Sequence, residues 1–259
     1  MKILIFNTPE EAAARVAAQI TTTVQQNPEA RLGLATGGTM PPVYCHLVQA
    51  HERGEVSFAR AVSFNLDEYV GLAPTHPCSY HSFMQAELFG QTDFAPQNTH
   101  LPHGDAPDPT AESLRYEALI ADQGGVDLQL LGIGPNGHIG FNEPSSSLAS
   151  RTRVKTLTQA TLQANRPYFD HGEKPPQYAI TMGIGTILEA RAVVLLATGA
   201  GKAQVVAEMI EGPLSAACPA SSLQMHPQVT VVLDQAAAAA LKHRAYYHTV
   251  HPEGREDAA

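Results

Sequence analysis

The chain has 259 residues, of which 44% are hydrophobic and 16% charged; so low a charge content, against the ~25% typical of soluble chains, argues against extensive disorder. Sixteen basic against 25 acidic residues leave a net charge of −9, which excludes general nucleic-acid binding, because that affinity rests on Lys and Arg neutralising many phosphates. The three cysteines, Cys45, Cys78 and Cys218, form no CxxC pair and fit a reducing compartment. No run approaches the ~18 apolar residues of a membrane span, and MKILIFNTPE reads as a first strand, not a signal peptide. The expectation is a cytoplasmic protein with no membrane partner.

In chain order, Lys2–Phe6 reads as a strand. A helix over Glu10–Gln26 follows, with Val16, Ile20 and Val24 four residues apart on one apolar face. Arg31–Ala35 is a second strand; TGGT follows it, then Pro41 and Pro42 open a helix, a place where a missing N–H costs nothing. Ala61–Leu66 reads as a third strand, Ser79–Phe89 and Thr110–Asp122 as helices, and Asp127–Ile133 as a buried strand. Tyr178–Met182 and Ala192–Thr198 resemble it, and the latter leads into a helix over Lys202–Glu211. Val229–Leu233 is the last strand, before an Ala-rich helix, and the tail after His251 is expected to fray. Strand, glycine loop and helix in this alternation predict an α/β fold with parallel strands and helices on both faces, in a single domain spanning residues 1–259. In such a sheet ligands bind beyond the carboxyl ends of the strands.

Four strand-end loops can therefore carry chemistry. Ala35-Thr36-Gly37-Gly38-Thr39 combines close backbone approach with unpaired N–H groups at a helix start, a phosphate cradle that matches neither the Walker A nor the GxGxxG pattern. Asn65-Leu66-Asp67-Glu68-Tyr69 puts two acids at a strand end; neighbours on a strand point opposite ways, so one faces the cleft and the other makes structural contacts. Gly132–Pro144 holds four glycines with His138, a residue type suited to acid–base work at neutral pH, and Glu143, which can orient and charge-stabilise the ring if the loop folds back. In Thr198-Gly199-Ala200-Gly201-Lys202 a lysine at a helix start opposes the dipole, a conflict that a bound anion removes. The chain has no HExxH or CxxC pair for a metal, and no GxSxG elbow.

Together the stretches LGLATGGTMPPVY, FNLDEYVGL, HPCSYHSFM, LLGIGPNGHIGFNEPSSSLASRTRVKTLT, ITMGIGTILEA and SSLQMHPQVTVVLD resemble the glucosamine-6-phosphate deaminase family, from the first strand to about Leu241. The resemblance implies a modified Rossmann-like three-layer sandwich with a mostly parallel central sheet. It also implies the conversion of glucosamine 6-phosphate and water to fructose 6-phosphate and ammonia in amino sugar catabolism, without a cofactor or metal. By resemblance, Asp67 moves the proton between C2 and C1, and His138 opens the sugar ring with Asn136 and Glu143 as companions. Gly37, Gly38, Thr39, Lys202 and Arg166, the last in a lid segment at about 158–178, hold the substrate phosphate. Some bacterial relatives are hexamers activated by an N-acetylated sugar phosphate, and their effector contacts match Ser146, Arg153, Lys155 and Thr156. The implied partner is a small sugar phosphate, and the implied assembly a monomer or a homo-oligomer up to a hexamer.

Two positions depart from the family pattern. Some relatives carry aspartate at Asn136, and an asparagine there leaves the support of a His138 cation to Glu143. The lid arginine falls one residue early in Ala164-Asn165-Arg166-Pro167. Among the rival readings, 6-phosphogluconolactonases share the fold but continue the histidine loop with Ser-Leu-Phe-Pro, where this chain has Phe141-Asn142-Glu143-Pro144. A galactosamine-6-phosphate deaminase differs only in handling the C4 hydroxyl. A non-catalytic sugar-phosphate sensor is expected to carry a DNA-binding segment and to have lost Asp67 or His138.

Overall fold

The computed structural model describes residues 1–169 and 173–254. Lys2–Phe6 forms β1, and Thr8 caps helix α1 (Pro9–Gln26) in a reciprocal pair with Glu11, which satisfies N–H groups that have no partner within the helix. Arg31–Leu34 (β2) leads through the TGGT loop into α2 (Pro41–Glu52). Val62–Asn65 (β3) is followed at once by a short strand, Asp67–Tyr69 (β4). Ser79 caps α3 (Tyr80–Glu87), Thr99–His100 is an edge strand (β5), and Asp108 caps α4 (Pro109–Asp122). Then come β6 (Leu128–Leu131), β7 (Arg153–Thr156), α5 (Gln159–Asn165), β8 (Tyr178–Thr181) and α6 (Ile184–Leu188). The chain continues with β9 (Ala192–Ala197), α7 (Ala203–Glu211), β10 (Val229–Asp234) and α8 (Arg244–Val250).

Seven strands form one sheet in the order β1-β10-β9-β6-β2-β3-β5, and every pairing in it is parallel. Its central strands carry continuous buried runs, such as Val193–Ala197 and Val231–Leu233, as strands covered on both faces must. Helices flank the sheet in the three-layer arrangement expected. The carboxyl ends of β9, β6 and β2 stand side by side, so the loops after them share one edge. A Cβ on Gly132 would lie 3.1 Å from Met40 Cε, which shows how closely the loops after β6 and β2 pack.

Tyr178–Met182 does not join the parallel sheet, as its apolar run suggested. Tyr178–Thr181 pairs antiparallel with both β4 and β7 in a separate three-stranded sheet. Asp67–Tyr69 is thus a strand, not part of a loop, and Thr181 stands between Asp67 on one side and Arg153 on the other. The small sheet is stitched to the large one where Met182 N–H donates to Leu66 O at 2.7 Å and Leu66 N–H to Leu34 O at 3.0 Å.

The predicted Ala-rich helix after β10 is absent: residues 235–240 form turns, and the helix that follows starts only at Arg244. The Asp234 carboxylate binds Ala237 N–H at 2.7 Å and sets the turn, while Ala237 and Ala238 are fully buried. Alanine propensity does not sustain a short helix in the absence of a larger apolar face to anchor it. In the tail, Pro252–Gly254 forms a turn against β1, with Gly254 buried and Lys2 Nζ 2.5 Å from Glu253 Oε1; the rest of the segment expected to fray, 255–259, lies outside the described residues. Among the described residues no helix is long and apolar enough to cross a membrane.

Candidate active site

The two acids at the start of the small sheet divide as their alternation demands. Glu68 is 2% exposed and accepts from the backbone N–H groups of Tyr69, Tyr80 and His81 at 2.8–3.0 Å. It therefore ties β4 to the first turn of α3, where donors lack helical partners. Burial nevertheless raises its carboxyl to about 7, against those three bonds. Asp67 points the other way. Burial, with the charge of Glu68 beside it, holds its carboxyl well above the usual carboxylate range.

Around Asp67 stands an aromatic wall that sequence reasoning missed. Tyr69 and Tyr80 meet through their hydroxyls at 3.3 Å, and the Tyr80 ring stacks on Phe141 at 6.0 Å between centroids. The segment after α5 contributes Phe169, edge-on to Tyr69 at 5.9 Å. Aromatic spacing across β4, α3, the Gly132–Pro144 loop and the segment after α5 has no sequence periodicity that could reveal it.

That glycine loop passes directly over Asp67. A Cβ on Gly140 would lie 3.3 Å from Asp67 Oδ2 and 2.9 Å from Thr181 Oγ1; with a φ of +55° as well, only glycine fits there without strain. His138 stands two residues earlier, its ring packed on Gly134, where a Cβ would overlap it. The loop does fold back as expected. His138 Nδ1 lies 3.4 Å from Glu143 Oε2, an electrostatic contact longer than a well-formed hydrogen bond. Asn136 bridges the two, with Nδ2 donating to Glu143 Oε2 at 2.7 Å and Oδ1 accepting from the His138 backbone N–H at 3.3 Å. An aspartate at this position would set two carboxylates against each other, whereas the amide supports the charge on Glu143.

Glu143 is 2% exposed. Desolvation alone would raise its carboxyl, but His138, Thr161 and Asn136 hold it down to about 2. Its second oxygen, Oε1, accepts from Thr158 Oγ1 at 3.1 Å and from Thr161 Oγ1. The two threonines open α5, where Thr158 is the cap. The spacing Thr-x-x-Thr signals a helix start, but nothing local signals its carboxylate partner.

Lys202 reaches from the loop after β9 to the end of β6, donating to Ile133 O at 2.6 Å, and burial lowers its ammonium from the usual lysine value. This brings it to the edge that also carries Gly37, Gly38 and Thr39; Gly37 turns with a φ of +99°. The first amide of the lysine loop is already taken, since Gly199 N–H donates to both Asp234 oxygens at 3.0 and 3.1 Å. Arg166 is not brought to this group among the described residues: it is exposed and donates to Glu173 O, seven residues further along the chain. Of the effector-type residues, Arg153 donates to Asn142 Oδ1 at 2.8 Å and is thereby tied to the histidine loop. Lys155 feels the charges of Arg153 and Glu143, Ser146 is buried with an unpartnered hydroxyl, and Thr156 is exposed.

Fold and site define an α/β protein that carries, just beyond the carboxyl edge of a parallel sheet, a desolvated carboxylate, an imidazole–carboxylate pair and a half-buried lysine. Residues 7–232 match the model of the glucosamine-6-phosphate isomerases/6-phosphogluconolactonase family, and the chain belongs to that family. It is 54% identical over 253 residues to a glucosamine-6-phosphate deaminase of Hahella chejuensis, covering 98% of this chain and 97% of that one. It is 53% identical over 245 residues to one of Rhodopirellula baltica, covering 95% and 98%. Among solved structures, a monomeric glucosamine-6-phosphate deaminase superposes with a TM-score of 0.91 at 44% identity, over 93% of this chain and all of that one. The 6-phosphogluconolactonase of Trypanosoma cruzi, at 21% identity and a TM-score of 0.74 over 93% and 97%, shares the fold.

Proposed function

We infer that this chain is an enzyme that converts glucosamine 6-phosphate and water to fructose 6-phosphate and ammonia. The observation that supports the reading is the passage of the His138–Glu143 loop over Asp67, where a Cβ on Gly140 would lie 3.3 Å from Asp67 Oδ2. The relatives at about half identity over nearly the whole chain support the same activity.

The pyranose must first open, which moves a proton between the C1 hydroxyl and the ring oxygen. An imidazole does this near neutral pH, and His138 is assigned the step, with ionised Glu143 stabilising the imidazolium that forms. In the open aldehyde, Asp67 takes the proton from C2 as O1 gains one from a solvent water, giving an enolamine. Asp67 then returns its proton to C1, and the nitrogen at C2 gives one back to solvent and becomes an imine. Water adds at C2 and ammonia leaves. A carboxylate held out of water is a stronger base than one in solution, which suits the abstraction of a weakly acidic carbon-bound proton. Lys202 and the backbone amides of Gly37, Gly38 and Thr39 are assigned to the phosphate, where an anion also relieves the cost of the half-buried ammonium. Arg166 is assigned to the same phosphate after movement of the lid. Activity on a sugar phosphate in the cytoplasm completes the reading.

The test is ammonia release from glucosamine 6-phosphate and from its C4 epimer, with 6-phosphogluconolactone as the rival substrate. Ammonia from glucosamine 6-phosphate at enzymatic rate is the expected result, and lactone hydrolysis without deamination would overturn the reading. Repeating the assay with N-acetylglucosamine 6-phosphate tests Ser146, Arg153, Lys155 and Thr156 as effector contacts. Sedimentation under the same conditions reads the assembly.

A further inference from the structure

The Glu143 carboxylate is shared between two parts of the molecule. Oε2 faces the histidine loop, 2.7 Å from Asn136 Nδ2 and 3.4 Å from His138 Nδ1. Oε1 faces the lid, accepting from Thr161 Oγ1 and, at 3.1 Å, from Thr158 Oγ1. Proton counting orders the two threonines. Each hydroxyl has one proton to give. Thr158 Oγ1 already accepts from Thr161 N–H at 3.3 Å as the helix cap and stands 3.1 Å from Thr161 Oγ1. Its proton is therefore divided between Glu143 and Thr161, while that of Thr161 goes to Glu143. Thr161 is also 6% exposed, so no water replaces it readily.

We propose that Thr161, seconded by Thr158, is a positioning residue of the ring-opening step: its hydroxyl fixes Oε1 of Glu143 so that Oε2 stays against His138. The inference rests on the role of His138 and Glu143 proposed above. It adds that the lid helix α5 is fastened to that pair through a charge-assisted hydrogen bond of the strong kind. Because the bond runs to the lid, His138 is fully supported only while α5 is docked. Among the described residues, the other charges near Glu143 are those of Lys155 and, beside it, Arg153, and they sit on β7, which the proposed substitution leaves in place.

The experiment compares wild type, Thr161→Val, which removes the hydroxyl at nearly constant shape, and Thr161→Ser, which restores it. On glucosamine 6-phosphate the valine variant is expected to lose about ten- to a hundred-fold in kcat with KM within about two-fold, a fraction of the ~10²–10⁴ that a positioned acid–base group contributes. Serine is expected to recover most of the loss. The dissociation constant of the acyclic 2-amino-2-deoxyglucitol 6-phosphate, which needs no ring opening, should stay unchanged in both. A second measurement needs no turnover: the NMR titration midpoint of the His138 ring should move by about half a pH unit or more in the valine variant and stay put in the serine variant, since a changed field at the ring shifts its titration. A merely structural threonine would weaken the acyclic ligand and KM and leave that midpoint alone. An unmoved midpoint, or equal loss in valine and serine, overturns the proposal. Absence of ammonia release by wild type would instead overturn the deaminase reading, and the titration would still decide the role of Thr161.

Discussion

Replacing Glu143 by glutamine tests the electrostatics of the site without requiring catalysis. The carboxyl is held from an ordinary value of 4.5 down to about 2. At ~1.4 kcal/mol per pH unit that displacement corresponds to about 3 kcal/mol of stability in the ionised state. Because the folded value lies below the unfolded one, the contribution is complete above about pH 4.5 and fades as pH falls towards 2. At about pH 3.5 roughly 2 kcal/mol of it remains. The glutamine keeps an acceptor for Thr158 and Thr161 but turns an N–H2 towards Asn136 Nδ2, which already donates. The variant should therefore be less stable than wild type in urea at about pH 7, with the gap narrowing by roughly 1 kcal/mol on going to about pH 3.5. Titrating groups remote from Glu143 cancel in the difference, and making the same comparison in a His138→Gln background removes the one imidazole that faces it. A gap constant across this range would show that Glu143 is not a depressed carboxylate, and the support assigned to it for the His138 cation would fall with it.

Asp67→Asn should fold and bind sugar phosphate yet lose deamination by about three orders of magnitude or more; retained turnover would remove Asp67 as the base. Its stability should move the other way from that of Glu143→Gln. Asp67 is raised, so its ionised form opposes folding as pH rises, and the asparagine variant should gain on wild type between about pH 4 and pH 8 in thermal melts. Lys202→Ala should raise KM for phosphorylated sugars about ten- to a hundred-fold, the scale of one charge-assisted bond, with kcat little changed; unaltered binding would place the phosphate elsewhere. Gly134→Ala puts a Cβ into the space of the His138 ring, so kcat on the closed pyranose should fall at least about ten-fold, given the sensitivity of acid–base steps to geometry. Full activity would show that the ring has another productive orientation.

The large sheet was legible because its signals are local: apolar runs ended by glycine loops, and one apolar stripe on Pro9–Gln26. The small sheet was not. Asp67–Tyr69 has three residues, too few for any periodicity, and becomes a strand only because Tyr178–Thr181 arrives more than a hundred residues later. The split between Asp67 and Glu68 could be read from alternation alone, even with the segment taken for a loop, since the geometry that separates neighbours is the same. The fold-back of Glu143 onto His138 was readable from a five-residue separation within a glycine-rich loop. Thr158, Thr161 and the aromatic wall were not, because their roles come from contacts between elements, and the Ala-rich segment misled because propensity was weighed without an anchoring face.

The two sheets also explain why the site has this composition. In a parallel sheet alone, every functional loop leaves the same edge and points the same way, into solvent. Such an edge supplies amides and a lysine for an anion, and places His138 where water can reach it. It cannot by itself desolvate a carboxylate. The small antiparallel sheet does this by turning the chain back immediately after β3, so that Asp67 stands under the glycine loop with Tyr69, Tyr80 and Phe141 around it. The price in stability falls on two buried acids side by side, and Glu68 carries its share by binding three backbone N–H groups. A raised carboxyl beneath the glycine loop and a lowered one within it, beside the imidazole, are the result. Two carboxylates of one chain reach opposite ends of their range because, among the described residues, one is desolvated beside a like charge and the other is surrounded by donors.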